Sequence, residues 1–148
     1  ELRDALEKAK DTYWSEQVDI QRHVTLAWIA FAEGRKDEAL VMIREAADRE
    51  DATEKSAVTP GPLKPARELL GEMLLEAGRP AEALEEFELT MNKEPNRFRG
   101  VYGAARAAML AGDSAKAATY YAKLLEICQR ADRPGRAELE EARKAEGS

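Results

Sequence analysis

The chain is poor in the residue types that most often carry chemistry. Its 148 residues include one cysteine, Cys128, and one histidine, His23. A single thiol excludes an intrachain disulfide. No apolar run approaches the roughly 18–20 residues that a membrane-spanning helix needs. No segment reads as a signal peptide. Gly71, Gly100 and Gly103 follow no strand at a phosphate-cradling spacing, and no stretch carries strand-like alternation. Asp48, Glu50, Asp51 and Glu54 gather acidic charge but lack the alternating oxygen ligands and turn glycine of a calcium loop. A solvated helix end is the expected account of them. A dyad of Cys128 and His23 would have to join distant parts of the chain. Cys128 is expected to pack as a small hydrophobe, and His23 to sit in or beside helix packing. The expectation is a chain that is not an enzyme, with no catalytic residue, no metal site and no cofactor. An enzymatic activity would require a further domain before Glu1.

What is present is a balanced, charged composition. Lys and Arg number 23 against 29 Asp and Glu, a net charge of −6 that argues against a nucleic-acid surface. Hydrophobic content of 44% beside 35% charged residues suits a soluble folded chain, and the length suits one domain. Glu1 opens the chain without a methionine in the midst of a helical pattern, which suggests a segment of a longer protein. The compartment is left open, with the cytoplasm favoured.

The organising feature lies between Ala66 and Cys128. Ala77, Gly78, Ala81 and Ala83 return as Ala111, Gly112, Ala115 and Ala117, each 34 residues on, and Phe87 returns as Tyr121. A period of this length marks stacked supersecondary units. Within one unit, Leu70, Leu74 and the small Gly71 share a helix face. Gly78 suits the left-handed residue that ends a helix, and Pro80 suits the first turn of the next. Ala83 and Phe87 lie four apart on that second helix, and Pro95 closes it. Small residues at Gly71 and Ala83 would let two helix backbones approach.

This pattern resembles the tetratricopeptide repeat (TPR): Leu-Gly, a further large residue, then Ala, an aromatic and Pro over 34 residues. Residues 64–97 match its small, aromatic and proline positions, with Arg67 where the family often has Trp. Residues 98–131 match through Ala105, Ala117 and Tyr121 but carry Gln129 at the closing proline. The resemblance implies an all-α, right-handed solenoid of helical hairpins. Thr59–Leu63 with Pro65–Gly71 also resembles bacterial TPR proteins of unassigned role.

In chain order, residues 1–10 predict a short amphipathic helix from Leu2, Ala5, Leu6 and Ala9. Residues 12–50 predict a first hairpin, with Asp11 or Thr12 as cap and Glu16 spaced for a capping box. Its long helix of roughly 20 residues would measure about 30 Å. Gly34 ends that helix, and the second runs to about Arg49. Ala27, Gly34, Ala39 and Ile43 precede Gly71, Gly78, Ala83 and Phe87 by 44 residues, so ten extra residues fall in 51–62. Pro60, Gly61 and Pro62 forbid helix there, and the insertion reads as either a neutral surface loop or a lip of the working face. Residues 63–96 and 97–131 form the second and third hairpins, with Asn96 capping one helix and Asp113 or Ser114 another. Residues 134–146 form a last helix opened by Pro134 and ending near Gly147, with a polar surround suited to a cap. The expectation is three TPR-like hairpins with an extra helix at each end.

In TPR arrays the first helix of each hairpin lines the concave side. The resemblance therefore points inward Val24, Trp28 and Phe31 of the first hairpin, Glu68, Glu72 and Leu75 of the second with Glu76 beside them, and Arg99, Tyr102, Arg106 and Met109 of the third. Trp, Tyr and Arg dominate binding energy in buried interface centres. A module that binds another protein or a peptide on this face is expected, without nucleic acid or membrane. The alternative is a structural unit that stacks or self-associates as a homo-oligomer. Equally open is that Trp28 and Phe31 pack under the N-terminal helix and that Glu72 pairs with Arg106. Val24, Trp28, Leu69 and Gly103 stand where carboxylate-clamp TPR domains have Lys, Asn, Asn and Arg, so only Arg99 fits and the clamp is not expected.

Overall fold

A computed structural model describes residues 2–53, 62–131 and 135–146. Among the described residues there are eight α-helices and no strand. Pro60, Gly61, Pro134 and Gly147, which carry the expectations for the inserted loop and the bounds of the last helix, lie outside them. No described helix is long and apolar enough to cross a membrane. The chain divides into two compact units, residues 1–70 and 71–148.

The first unit contains α1 (Leu2–Lys8), α2 (Thr12–Ala32), α3 (Lys36–Ala52) and the start of α4 (Ala66–Glu76). Asp11 caps α2 by accepting the Trp14 N–H at 3.2 Å. Ile20, Val24, Ala27 and Ala30 of α2 are buried, as are Ala39, Leu40, Ile43, Ala46 and Ala47 of α3, and the two helices pack together. The alanines let the backbones close up, and the large apolar side chains fill what remains.

Glu16 does not complete a capping box. Arg49 of α3 takes it instead, donating Nε and Nη2 to its two oxygens at 2.8 and 2.9 Å, and Nη2 also to Asp19 at 2.9 Å. With Asp11 as cap the box position is Trp14, so Glu16 is out of register for it, and the guanidinium matches its carboxylate at two points instead. Burial alone would push the Asp19 carboxyl up, but hydrogen bonds from Arg49 and Arg22 outweigh it and hold the carboxyl at about 2. Arg3 of α1 reaches Asp19 at 3.5 Å, fastening α1 to α2. His23 stands beside this cluster, its Nδ1 2.9 Å from the Asp19 carbonyl oxygen and 3.3 Å from Arg49.

The acidic run at the end of α3 is not simply solvated. Glu50 is buried and accepts the Ala66 N–H at 2.6 Å, serving the first turn of α4. Asp48 and Asp51 accept from Arg67 at 2.6 and 2.5 Å. Arg67, where the repeat pattern often has Trp, thus ties α4 to α3 by charge.

The second unit holds the rest of α4 with α5 (Pro80–Lys93), α6 (Phe98–Leu110), α7 (Ser114–Ile127) and α8 (Ala137–Glu146). One turn recurs through the chain. Gly34, Gly78 and Gly112 have φ of +86°, +76° and +85°. After each, an N–H reaches five residues back: Arg35 to Ala30, Arg79 to Leu74 and Asp113 to Ala108, all at 2.9 Å. This closure satisfies the last carbonyls of a helix and needs a left-handed residue that glycine adopts without strain. Pro80 occupies the first turn of α5 and Asp113 caps α7 through the Lys116 N–H at 3.0 Å. Asn96 is not a cap. It lies two residues before α6 with φ +66°, and Arg97 holds the cap position without a capping hydrogen bond from its side chain. Asn tolerates the left-handed conformation because its short side chain is compatible with it.

The core of this unit is built on contrast of size. Phe87 of α5 is 1% exposed. A Cβ added to Gly71 of α4 would lie 2.8 Å from its ring, and one added to Gly103 of α6 would come closer still. The ring is therefore wedged between two backbones that approach only because both positions lack a side chain. Tyr121 and Leu124 of α7 pack with the alanine-rich α6, and Leu139 and Ala142 bury one face of α8 against α7. Glu88 joins α5 to α7 by accepting from Lys116 at 2.7 Å and from the Tyr120 hydroxyl at 2.6 Å.

Candidate interaction site

The second unit carries a cleft of about 270 Å³ between α4 and α6. Glu72, Leu75 and Glu76 form the α4 wall, Arg99, Tyr102, Gly103 and Arg106 the α6 wall, and Phe87 the floor. The wedge sets the floor of the cleft: the Phe87 ring fills the space over Gly103, where no side chain of α6 projects. The walls differ in charge. Arg99 approaches Glu72 across the cleft at 3.4 Å, a loose contact for a salt bridge.

Glu72 thus meets Arg99 and not Arg106. Arg106 lies 3.9 Å from Glu141 of α8 and sits over the Tyr102 ring at 5.9 Å. Glu141 also accepts the hydroxyls of Tyr102 at 2.8 Å and of the fully buried Tyr121 at 2.6 Å. Burial, and then the bond to Glu141, push the Tyr102 phenol up to about 12 and raise that of Tyr121 further. Phe98 stacks on Tyr102 at 6.4 Å, and Arg136 covers Phe98 at 4.5 Å. These contacts extend the α6 wall to the start of α8.

The remaining residues expected on an inner face lie elsewhere. Met109, 46% exposed, borders a second cavity of about 490 Å³ with Tyr121, Glu141 and Lys144. Val24 and Glu68 are buried, so their side chains pack within the protein and present nothing to a ligand. Trp28 and Phe31, in the first unit, are partly exposed and meet edge to face at 5.8 Å, with Lys36 over Phe31 at 5.5 Å.

Phe87 and Gly103 are cleft residues that sequence reasoning does not place on an inner face, and Glu141 is the neighbour of the cleft that it passes over. Gly103 was open to it, since Arg99, Tyr102, Gly103 and Arg106 fall at i, i+3, i+4 and i+7 of one helix. Glu141 carries no such signal, because its role arises only when α8 docks. Among the described residues no group of three or more His, Cys, Asp or Glu side chains is placed to hold a metal ion.

No protein-family description matches the chain, and no curated protein matches it in sequence. Among solved structures it is similar to PcrH from Pseudomonas aeruginosa, with a TM-score of 0.64 at 15% identity, over 87% of this chain and 89% of that one. The fold is therefore an all-α, TPR-like helical repeat.

Proposed function

We propose that this chain is a protein–protein interaction module and that the α4–α6 cleft of the second unit receives a segment of the partner. The observation that carries this reading is the cleft itself. An acidic wall, a facing tyrosine–arginine wall and an aromatic floor meet in one concave site. Tyr and Arg concentrate binding energy where a pocket excludes water. Leu75 and the exposed part of Tyr102 supply apolar area, while Arg99 and Arg106 supply direction. Trp28 and Phe31 are a second candidate contact surface, on the first unit.

The test is affinity capture from a lysate of the source organism with the wild type and with Tyr102→Ala/Arg106→Glu, both checked for equal helicity. The expected result is a partner retained by the wild type and lost by the variant. Its segment should protect amides of residues 72–76 and 99–106 in hydrogen exchange. Equal capture by both proteins, with protection elsewhere, would remove the cleft from the account.

A further inference from the structure

Among the described helices, α6 alone contains no Asp or Glu, in a chain whose net charge is −6. Its Arg99, Tyr102 and Arg106 share the cleft wall with Gly103. The two arginines are rooted two turns apart, about 10 Å along the axis. The facing wall is acidic through Glu72 and Glu76, so a carboxylate entering the cleft is repelled by α4 and drawn to α6.

One carboxylate already occupies the end of this stripe. Glu141 accepts from Tyr102 and Tyr121 and lies 3.9 Å from Arg106. Glu138, one turn earlier on α8, adds its charge to the field at Tyr102. Only Leu139 and Ala142 of α8 are buried hydrophobics, so a helix with few apolar anchors delivers this acidic edge.

We infer that the cleft selects an acidic, extended segment of a partner protein, and that Glu141 is a built-in competitor for the Tyr102–Arg106 end of the stripe. This rests on the interaction reading given above. An extended chain places alternate side chains on one face about 7 Å apart. Two carboxylates at that spacing fall within reach of two long arginines rooted on either side of Tyr102. The partner's first carboxylate meets Arg99, loosely held by Glu72, and the second displaces Glu141 from Arg106. Charge selection of this kind sets specificity and association rate and weakens with salt.

The experiment is selection of a displayed random-peptide library on the wild-type chain. Selected peptides are then synthesised and titrated by fluorescence anisotropy against wild type, Glu141→Gln and Arg99→Gln/Arg106→Gln, with each variant's melting curve recorded. Enrichment of Asp and Glu at alternate positions is expected. Glu141→Gln, which keeps the shape of the side chain, should bind the selected peptide several-fold more tightly. The arginine variant should bind it at least about tenfold more weakly, and wild-type affinity should fall steeply with salt. Unchanged or weaker binding by a folded Glu141→Gln would overturn the competitor role. Selected peptides without acidic enrichment, yet lost on Tyr102→Ala, would overturn acid selectivity and leave the interaction module standing. If no peptide is selected while a captured natural partner still requires Tyr102, the extended acidic segment is wrong. If neither requires Tyr102, both readings fall.

Discussion

Gly103→Ala sets two physical effects against each other. Helix propensity alone would make it stabilising by about 0.5–1 kcal/mol, because glycine weakens a helix interior. The packing predicts the reverse. The new methyl would overlap the Phe87 ring, and the ring cannot retreat toward α4, where a Cβ on Gly71 would already stand 2.8 Å from it. The remaining exit is into the cleft, which exposes a ring now 1% accessible. Overpacking of this kind typically costs about 1–3 kcal/mol. Subtracting the propensity gain leaves a net loss centred on about 1 kcal/mol. The assay is urea unfolding followed by far-ultraviolet circular dichroism for the wild type, Gly103→Ala, Phe87→Leu and the double variant. Because the clash requires the phenyl ring, the double variant should be more stable than the sum of the singles by about 1 kcal/mol. A Gly103→Ala protein as stable as the wild type, or strictly additive effects, would refute the wedge.

Glu50→Ala removes the carboxylate that accepts the Ala66 N–H, and the lost charge-assisted bond should lower stability by about 1–3 kcal/mol in the same assay. Gly78→Ala places a side chain at φ +76°, and the unfolding midpoint should fall by the equivalent of about 1–2 kcal/mol although nothing clashes there. Asp19 is held at about 2 against an ordinary value of 3.8, so its contribution is present above that ordinary value and lost as pH falls from 4 toward 2. Thermal midpoints of Asp19→Asn should therefore decline less steeply than those of the wild type across that window. Tyr102 is raised to about 12, so its contribution is complete below pH 10 and lost as pH rises from 10 toward 12. Difference absorbance of the phenolate against Tyr102→Phe should show its titration delayed beyond that of a free phenol.

Local chemistry made much of the fold legible. Gly34, Gly78 and Gly112 announce helix ends by themselves, because the closing turn needs a left-handed residue and glycine supplies it wherever the chain lies. Asp11 and Asp113 act within one turn of their own helices, so their caps depend on nothing distant. The small and aromatic periodicity points to helical hairpins because it records which faces must meet. Charged residues were read less well, since several partners compete for each. Glu16 stands near the start of its helix, yet with Asp11 as cap the box position is Trp14, and Arg49 offers Glu16 two aligned donors from 33 residues away. Asp48, Glu50 and Asp51 look like a solvated run until Ala66 and Arg67 arrive beside them.

The cleft shows the same division. The spacing of Arg99, Tyr102 and Arg106 along one helix is written in the chain, because 3.6 residues make a turn. That Gly71 and Gly103 approach one phenyl ring from two helices is not, for it depends on how three helices pack. Nor is the placing of Glu141 on Tyr102, Tyr121 and Arg106, which needs α8 to fold back on α7. Periodicity and turn chemistry are short-range and survive in any context. A carboxylate's partner is chosen among donors that only the packed tertiary structure assembles, because water solvates each of them equally well until packing excludes it.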